Sequence, residues 1–204
     1  VTRSSLLFSR RALLIEGISE AILLKVLAHH YVLRPVTAAD EDASKSDDGG
    51  SVGRTAARQR LARFDATCII PIEGVDFEPY LRLLLGTVEG QRLGDRVVVV
   101  TDEDPNVRGD RRTKLEAVAT SLGAEAGLSV FVGDPTLEGA LMGGANDAVL
   151  REAFLACHPR LGDRWDKEVG EVAESVRPAA VVELLKETRT SKGEFALRLA
   201  DVLA

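Results

Sequence analysis

Short apolar runs alternate with segments of helical periodicity over the first two thirds of the chain. We predict a buried strand at each apolar run, which are residues 12–15, 67–72, 96–101 and 128–132. Helices are predicted at residues 21–33, 55–64, 77–85 and 115–122. Regular alternation of strands and helices is typical of a parallel sheet with right-handed crossovers. The pattern therefore predicts an α/β fold with a parallel sheet of about four strands, flanked by helices.

The pattern from residue 136 onward is helical alone. The predicted helices are residues 137–157, 165–175, 179–188 and 193–203. Residues 38–53 are rich in Asp, Ser and Gly and cannot form a packed core. We therefore predict an α/β core at residues 1–135 with a mobile insertion at 38–63, followed by a C-terminal helical extension at residues 136–204.

Composition restricts the possible classes of protein. The 204 residues are 45% hydrophobic and 28% charged, which is ordinary for a globular protein that buries a sizeable core. The sequence shows no apolar run of bilayer length and no leader, so we expect a cytoplasmic protein without a membrane partner. The net charge of −6 disfavours a protein that simply coats nucleic acid. Because the first residue is Val1, we interpret the chain as a fragment of a longer polypeptide.

Carboxylates stand at the ends of two predicted strands. Glu16 follows the first strand, and Glu20 lies four residues later, in the first turn of the next helix. Asp102 and Asp104 follow the third strand and point the same way, because side chains alternate along a strand. Ligands bind at this edge of open α/β sheets. Two pairs of carboxylates would repel each other unless a cation lay between them, and such oxygen ligands suit Mg²⁺ or Mn²⁺.

The cysteines and histidines give no competing metal site. Cys68 and Cys157 are far apart in sequence and lack a CxxC partner, so we interpret them as buried apolar residues. The three histidines, His29, His30 and His158, have no metal-ligand spacing.

These motifs together resemble a known family. The strand, the Glu16-Gly17 turn, Glu20 and the later Asp102-Glu103-Asp104 resemble the Toprim domain of topoisomerases, primases and some nucleases. Within that group, residues 14–21, Leu-Ile-Glu-Gly-Ile-Ser-Glu-Ala, look most like the nuclease half of OLD-family (overcoming lysogenization defect) endonucleases. Residues 136–138, Thr-Leu-Glu, and residues 191–196, Ser-Lys-Gly-Glu-Phe-Ala, stand where that family carries functional residues.

The resemblance implies a metal-dependent DNA endonuclease that uses two divalent cations, Mg²⁺ or Mn²⁺. The implied metal ligands are Glu16, Glu20, Asp102, Asp104 and Glu138, with a hydroxyl ligand from Thr136. Lys192 would neutralise charge that develops on the phosphate, and the C-terminal helices would complete the active site. The sequence lacks a Gly-x-x-x-x-Gly-Lys-Ser/Thr loop, so an ATPase domain or ATPase partner would have to lie outside this chain.

Basic residues follow the second acidic motif closely. Arg108, Arg111, Arg112 and Lys114 are well placed to hold a phosphodiester backbone, and DNA is the expected partner. A solvated loop explains the same four residues equally well. The arginines of the helix at 55–64 are better explained as an exposed helix face.

Other functions are also open at this point. A topoisomerase-like or primase-like Toprim enzyme lacks support, because Tyr31 and Tyr80 both fit helical core patterns. Phosphatases of the haloacid dehalogenase type carry Asp-x-Asp after their first strand, whereas here the motif follows the third. A non-catalytic Toprim domain that binds nucleic acid or a partner is the alternative from a different class. The intact acids disfavour it.

Overall fold

The computed structural model of the protein describes residues 9–33, 50–102, 110–133 and 136–204, with the backbone alone described for residues 50–54. Two of the predicted site residues, Asp104 and Arg108, lie outside the described residues. So do residues 38–49 of the predicted mobile insertion. The remainder of that insertion belongs to a helix, described below.

Four strands form one parallel sheet. They are β1 (Arg11–Ile15), β2 (Cys68–Pro71), β5 (Arg96–Asp102) and β6 (Leu128–Gly133). The order across the sheet is β2-β1-β5-β6, and every neighbouring pair is parallel. The predicted α/β fold with a parallel sheet of about four strands flanked by helices is confirmed, and each strand bound lies within one residue of the prediction.

Helices connect these strands and cover both faces of the sheet. They are α1 (Ile18–Leu27), continued by a π-helical turn (Ala28–Val32), α2 (Gly50–Asp65), α3 (Glu78–Leu85) and α4 (Arg111–Ser121). The alternation of side chains along β1 divides the core between the faces. Ala12 and Leu14 pack with residues of α3 and α4, whereas Leu13 and Ile15 pack with Leu24 of α1 on the opposite face.

A small antiparallel hairpin was not predicted. Strands β3 (Thr87–Val88) and β4 (Gln91–Arg92) pair across Glu89 and Gly90, both of which have positive φ, 52° and 78°. Positive φ at both central residues is typical of the tight turns that connect two-residue hairpins. Glutamate rarely adopts this conformation, so the Glu-Gly pair carried a weak signal.

The C-terminal part contains α5 (Leu137–Ala140), α6 (Asn146–Cys157), α7 (Gly162–Trp165), α8 (Arg177–Glu187) and α9 (Lys192–Leu203). The prediction of one continuous helix at 137–157 is wrong. Gly143 and Gly144 separate α5 from α6 with φ values of 135° and 56°, which side chains with a Cβ rarely adopt. The helix predicted at 165–175 is also wrong, because a π-helical turn and a 3₁₀ turn occupy most of that segment.

A second core joins these helices to α1. Leu23 of α1 packs with Phe154 of α6 and with Phe195 and Leu199 of α9, all of them fully buried. The contact between α1 and α9 brings the first residue of α9 to the carboxyl edge of the sheet. Across the described residues, none of the helices is both long enough and apolar enough to cross a lipid bilayer.

Candidate active site

Four carboxylates gather at the carboxyl edge of the sheet. Glu16 follows β1, Asp102 ends β5, and each of the other two lies in the first turn of a helix, Glu20 in α1 and Glu138 in α5. We call Glu16, Glu20, Asp102 and Glu138 the acidic cluster. The structure therefore brings Glu16 and Asp102 together, as the positions of the strand ends predicted, and places Glu138, more than 120 positions after Glu16, close enough to affect the pKa of Asp102.

The pKa of Asp102 reflects the negative charge of the acidic cluster. Burial is the largest cause that raises the pKa of Asp102, from 3.8 to about 7. The other three carboxylates of the acidic cluster raise this pKa as well through their negative charge. The Lys192 ammonium opposes them, with Nζ at 3.9 Å from Asp102 Oδ2. A carboxylate whose side chain is only 18% exposed is thus held among like charges.

Glycine on the neighbouring strand makes room for this carboxylate. Gly133 of β6 lies beside Asp102 in the register of the sheet. A Cβ atom at position 133 would come within 3.3 Å of Asp102 Oδ1. The absence of a side chain there keeps one side of the carboxylate clear.

Glu20 is fixed by the turn that precedes α1. Its Oε2 accepts hydrogen bonds from the Gly17 backbone N–H at 3.1 Å and from the Ser19 hydroxyl at 3.4 Å. Glu20 is 5% exposed, so this carboxylate is held almost out of solvent. A carboxylate at the start of a helix is also stabilised by the helix dipole.

Glu138 differs from the other three carboxylates in its hydrogen bonding. It is 2% exposed, and its Oε1 is buried with no hydrogen-bond partner among the described residues. A buried acceptor that remains unpaired costs free energy, and in native proteins it often marks the place of a water or an ion. Thr136 caps α5, and its Oγ1 accepts a hydrogen bond from the Gly139 N–H at 3.4 Å. A role for Thr136 as a metal ligand stays a prediction.

Glu16 is bound by Arg111, a contact that sequence reasoning missed. Glu16 Oε1 accepts hydrogen bonds from the Arg111 guanidinium at 2.5 Å, from the Asp102 backbone N–H at 2.9 Å and from the Thr101 hydroxyl. The sequence left two alternatives for Arg111, a contact to the phosphodiester backbone or a solvated loop. The structure places it in the first turn of α4 with its side chain 12% exposed, inside the site, so the loop is wrong and the DNA contact stays a prediction.

The other two described residues of the predicted basic segment belong to the same helix. Arg112 and Lys114 are exposed on α4. The helix begins here because Asp110 caps it, accepting hydrogen bonds from the Arg112 N–H at 2.9 Å and the Thr113 hydroxyl at 2.6 Å. Asp110 before a helical pattern was the sequence signal that could have located Arg111 on the helix.

The oxygen donors of the acidic cluster fit a hard divalent cation in their chemistry. The fit rests on the mutual repulsion at Asp102 and on the unpaired, buried Oε1 of Glu138. As the side chains stand, however, no three His, Cys, Asp or Glu residues in the described part of the chain are close enough to hold one ion. Glu16, one of the described carboxylates, is paired with Arg111 in this arrangement.

The fold and the acidic cluster define the class: an α/β domain with a group of carboxylates at the carboxyl edge of a parallel sheet. Solved structures that are similar to this chain include C-terminal regions of OLD proteins. The C-terminal region of the Xanthomonas campestris pv. campestris OLD protein, in a structure phased with iodine, matches with a TM-score of 0.57 at 21% identity, over 95% of this chain and 85% of that one. Its structure phased with platinum gives a TM-score of 0.54 at 21% identity, over 95% and 84%.

The C-terminal region of the Burkholderia pseudomallei OLD protein matches with a TM-score of 0.56 at 20% identity, over 95% of this chain and 88% of that one. No protein-family model matches the sequence, and no curated protein does. The predicted resemblance is therefore confirmed at the level of the fold. The chain has the fold of the C-terminal regions of OLD proteins over nearly its whole length.

Proposed function

We propose that this chain is the nuclease domain of an OLD-type protein and cleaves DNA as a metal-dependent endonuclease. The observation that carries the proposal is the acidic cluster with Lys192 at its rim, on the fold that OLD C-terminal regions share. Because this group lies at the edge where α/β sheets bind ligands, a phosphodiester could reach it from solvent.

The residues that would hold divalent cations are those of the acidic cluster together with Asp104 and Thr136. When bound, Mg²⁺ or Mn²⁺ would lower the pKa of an attacking water and stabilise the leaving oxygen of an in-line displacement. Asp102 has to be deprotonated to act as a ligand, and Lys192 favours that form. Glu20 is already oriented by the Gly17 N–H.

Lys192 would act on the phosphate itself. Its side chain is 60% exposed, and its ammonium lies at the edge of the acidic cluster, where it could meet a phosphate oxygen. The Ser191 hydroxyl fixes the start of α9 by accepting a hydrogen bond from the Glu194 N–H at 3.4 Å. Arg108, Arg112 and Lys114 would contact the DNA backbone beyond the site.

An ATPase domain or ATPase partner would work with this chain. The support is that the similar structures are C-terminal regions of larger proteins. The sequence described above lacks a phosphate-binding loop of its own.

Cleavage of supercoiled plasmid by the purified chain is a direct test of the proposed function. With Mg²⁺ or Mn²⁺ the purified chain should nick or linearise the plasmid, and EDTA should abolish cleavage, since every proposed ligand is an oxygen donor. The Asp102→Asn variant, purified in parallel, controls for a contaminating nuclease. Full activity in EDTA would contradict the metal mechanism, and activity with Zn²⁺ alone would contradict the ligand assignment. Plasmid binding without cleavage under every condition would favour a non-catalytic Toprim domain.

A further inference from the structure

One nitrogen of Arg111 lies among three oxygens of the proposed active site. Arg111 Nη1 is 2.5 Å from Glu16 Oε1, 2.6 Å from the Asp102 backbone oxygen and 2.7 Å from Thr101 Oγ1. The Thr101 side chain is buried as well. The guanidinium is therefore an internal part of the site.

The three oxygens are of the kinds that a hard cation prefers: a carboxylate, a hydroxyl and a backbone carbonyl. Nη1 carries only two hydrogens, so it can donate well to two of the three at most. Glu16 Oε1 also accepts from the Thr101 hydroxyl and the Asp102 N–H, which gives one oxygen three donors. The guanidinium nitrogen satisfies this set of oxygens less completely than a hard cation, whose octahedral coordination has room for all three.

The Arg111 guanidinium and a divalent cation are both positively charged, so they cannot occupy the same position beside Glu16 Oε1. The positive guanidinium of Arg111 offsets part of the negative charge of the acidic cluster through its ion pair with Glu16. A divalent cation bound to Glu16 would meet a like charge within hydrogen-bond distance of the same oxygen, in a site where both are shielded from water. The guanidinium and the cation cannot both contact Glu16 Oε1.

We propose that Arg111 competes with a divalent cation for Glu16 Oε1, so that cation binding at this oxygen requires the guanidinium to leave. The inference rests on the proposed function, because it assumes that Glu16 is a metal ligand through this oxygen. The paired state weakens metal binding, since an apparent Kd equals the intrinsic Kd divided by the fraction of molecules that are competent to bind.

The test is calorimetric titration of Mn²⁺ into metal-free protein, which needs neither DNA nor turnover. If Glu16 is free of Arg111 in about one molecule in ten, Arg111→Ala should lower the Kd for Mn²⁺ about tenfold. Arg112→Ala is the matched control, because it removes the same charge from the next residue, whose side chain is exposed. The control should change the Kd by less than about twofold, because exposed charges are screened.

Arg111→Met keeps an apolar stem of similar length and replaces Arg111→Ala if the alanine variant does not fold, as judged by thermal melting in EDTA. A folded Arg111 variant that binds Mn²⁺ no more tightly than wild type would overturn the inference and leave the proposed function standing, because Arg111 would then only orient Glu16. Absence of Mn²⁺ binding to the wild type itself would defeat the metal-dependent function, and the inference with it.

Discussion

Asp102→Asn is expected to abolish DNA cleavage and, in the same protein, to raise the stability of the metal-free state at pH 8. A neutral amide is a poor ligand for a divalent cation. Because the bound cation would contribute several kcal/mol of transition-state stabilisation, cleavage should fall at least about a thousandfold. The amide also removes a negative charge from among three others. Opposite signs for the two effects are what we expect of a cluster that holds a cation.

The pH dependence follows from the raised pKa of Asp102. An unfolded chain loses this proton near pH 3.9, whereas the folded protein holds it until about pH 7. Between these values the folded state binds more protons, so the contribution of Asp102 to stability declines as pH rises from about 4 to about 7 and is fully unfavourable above that. A pKa of about 7 corresponds to about 4 kcal/mol in a fully shielded site. Partial solvation reduces the expected gain for Asp102→Asn to about 1–3 kcal/mol.

Urea unfolding in EDTA at pH 4, 5.5 and 8 measures this effect as the difference in the free energy of unfolding between Asp102→Asn and wild type. The matched control is Asp95→Asn, since the hydrogen bond from Arg10 lowers the pKa of Asp95. The charged form of Asp95 is favoured in the folded state, so its replacement should not stabilise the protein at pH 8. An Asp102→Asn variant less stable than wild type at pH 8 would show that the acidic cluster is not under electrostatic strain.

Lys192→Ala should reduce single-turnover cleavage by roughly two to three orders of magnitude at saturating Mn²⁺. This is the scale of loss when one preorganised electrostatic stabiliser is removed. Stability should change by at most a few tenths of a kcal/mol, because the side chain is 60% exposed and its ion pair with Asp102 is long. Arginine at this position should restore activity poorly, since its planar fork does not replace a compact ammonium.

Lys186→Ala provides the control for Lys192→Ala. Lys186 is 68% exposed on α8 and pairs with Glu183, three residues earlier, which does not belong to the acidic cluster. The Lys186→Ala variant should cleave plasmid at the wild-type rate. A wild-type rate for Lys192→Ala itself would remove Lys192 from the reaction and leave its contact with Asp102 as a surface ion pair.

The positions of the acids that follow buried strands could be predicted from the sequence. A buried strand that ends in an acid places that acid at the edge of a parallel sheet, and so the gathering of Glu16 and Asp102 followed from local pattern alone. Lys192 was located by resemblance, because nothing in the pattern of α9 indicates that it packs against α1.

The parts that depend on side-chain partners could not be predicted. The ion pair between Glu16 and Arg111 joins residues 95 positions apart, and it depends on α4 beginning at Arg111. The break between α5 and α6 depends on two adjacent glycines with positive φ, which a helical pattern of apolar residues conceals. Glu138 Oε1 is buried without a hydrogen-bond partner among the residues that the structure describes, and this is a property of packing that no periodicity reveals.

The central claim is that the acidic cluster holds divalent cations, and anomalous diffraction from crystals grown with Mn²⁺ tests it most directly. The account predicts manganese peaks in direct contact with carboxylate oxygens of Asp102 and Glu138, and a further contact to Glu16 once the Arg111 guanidinium has moved away. Crystals that bind Mn²⁺ only elsewhere, with Glu16 still paired to Arg111 and Glu138 bonded to water, would contradict it.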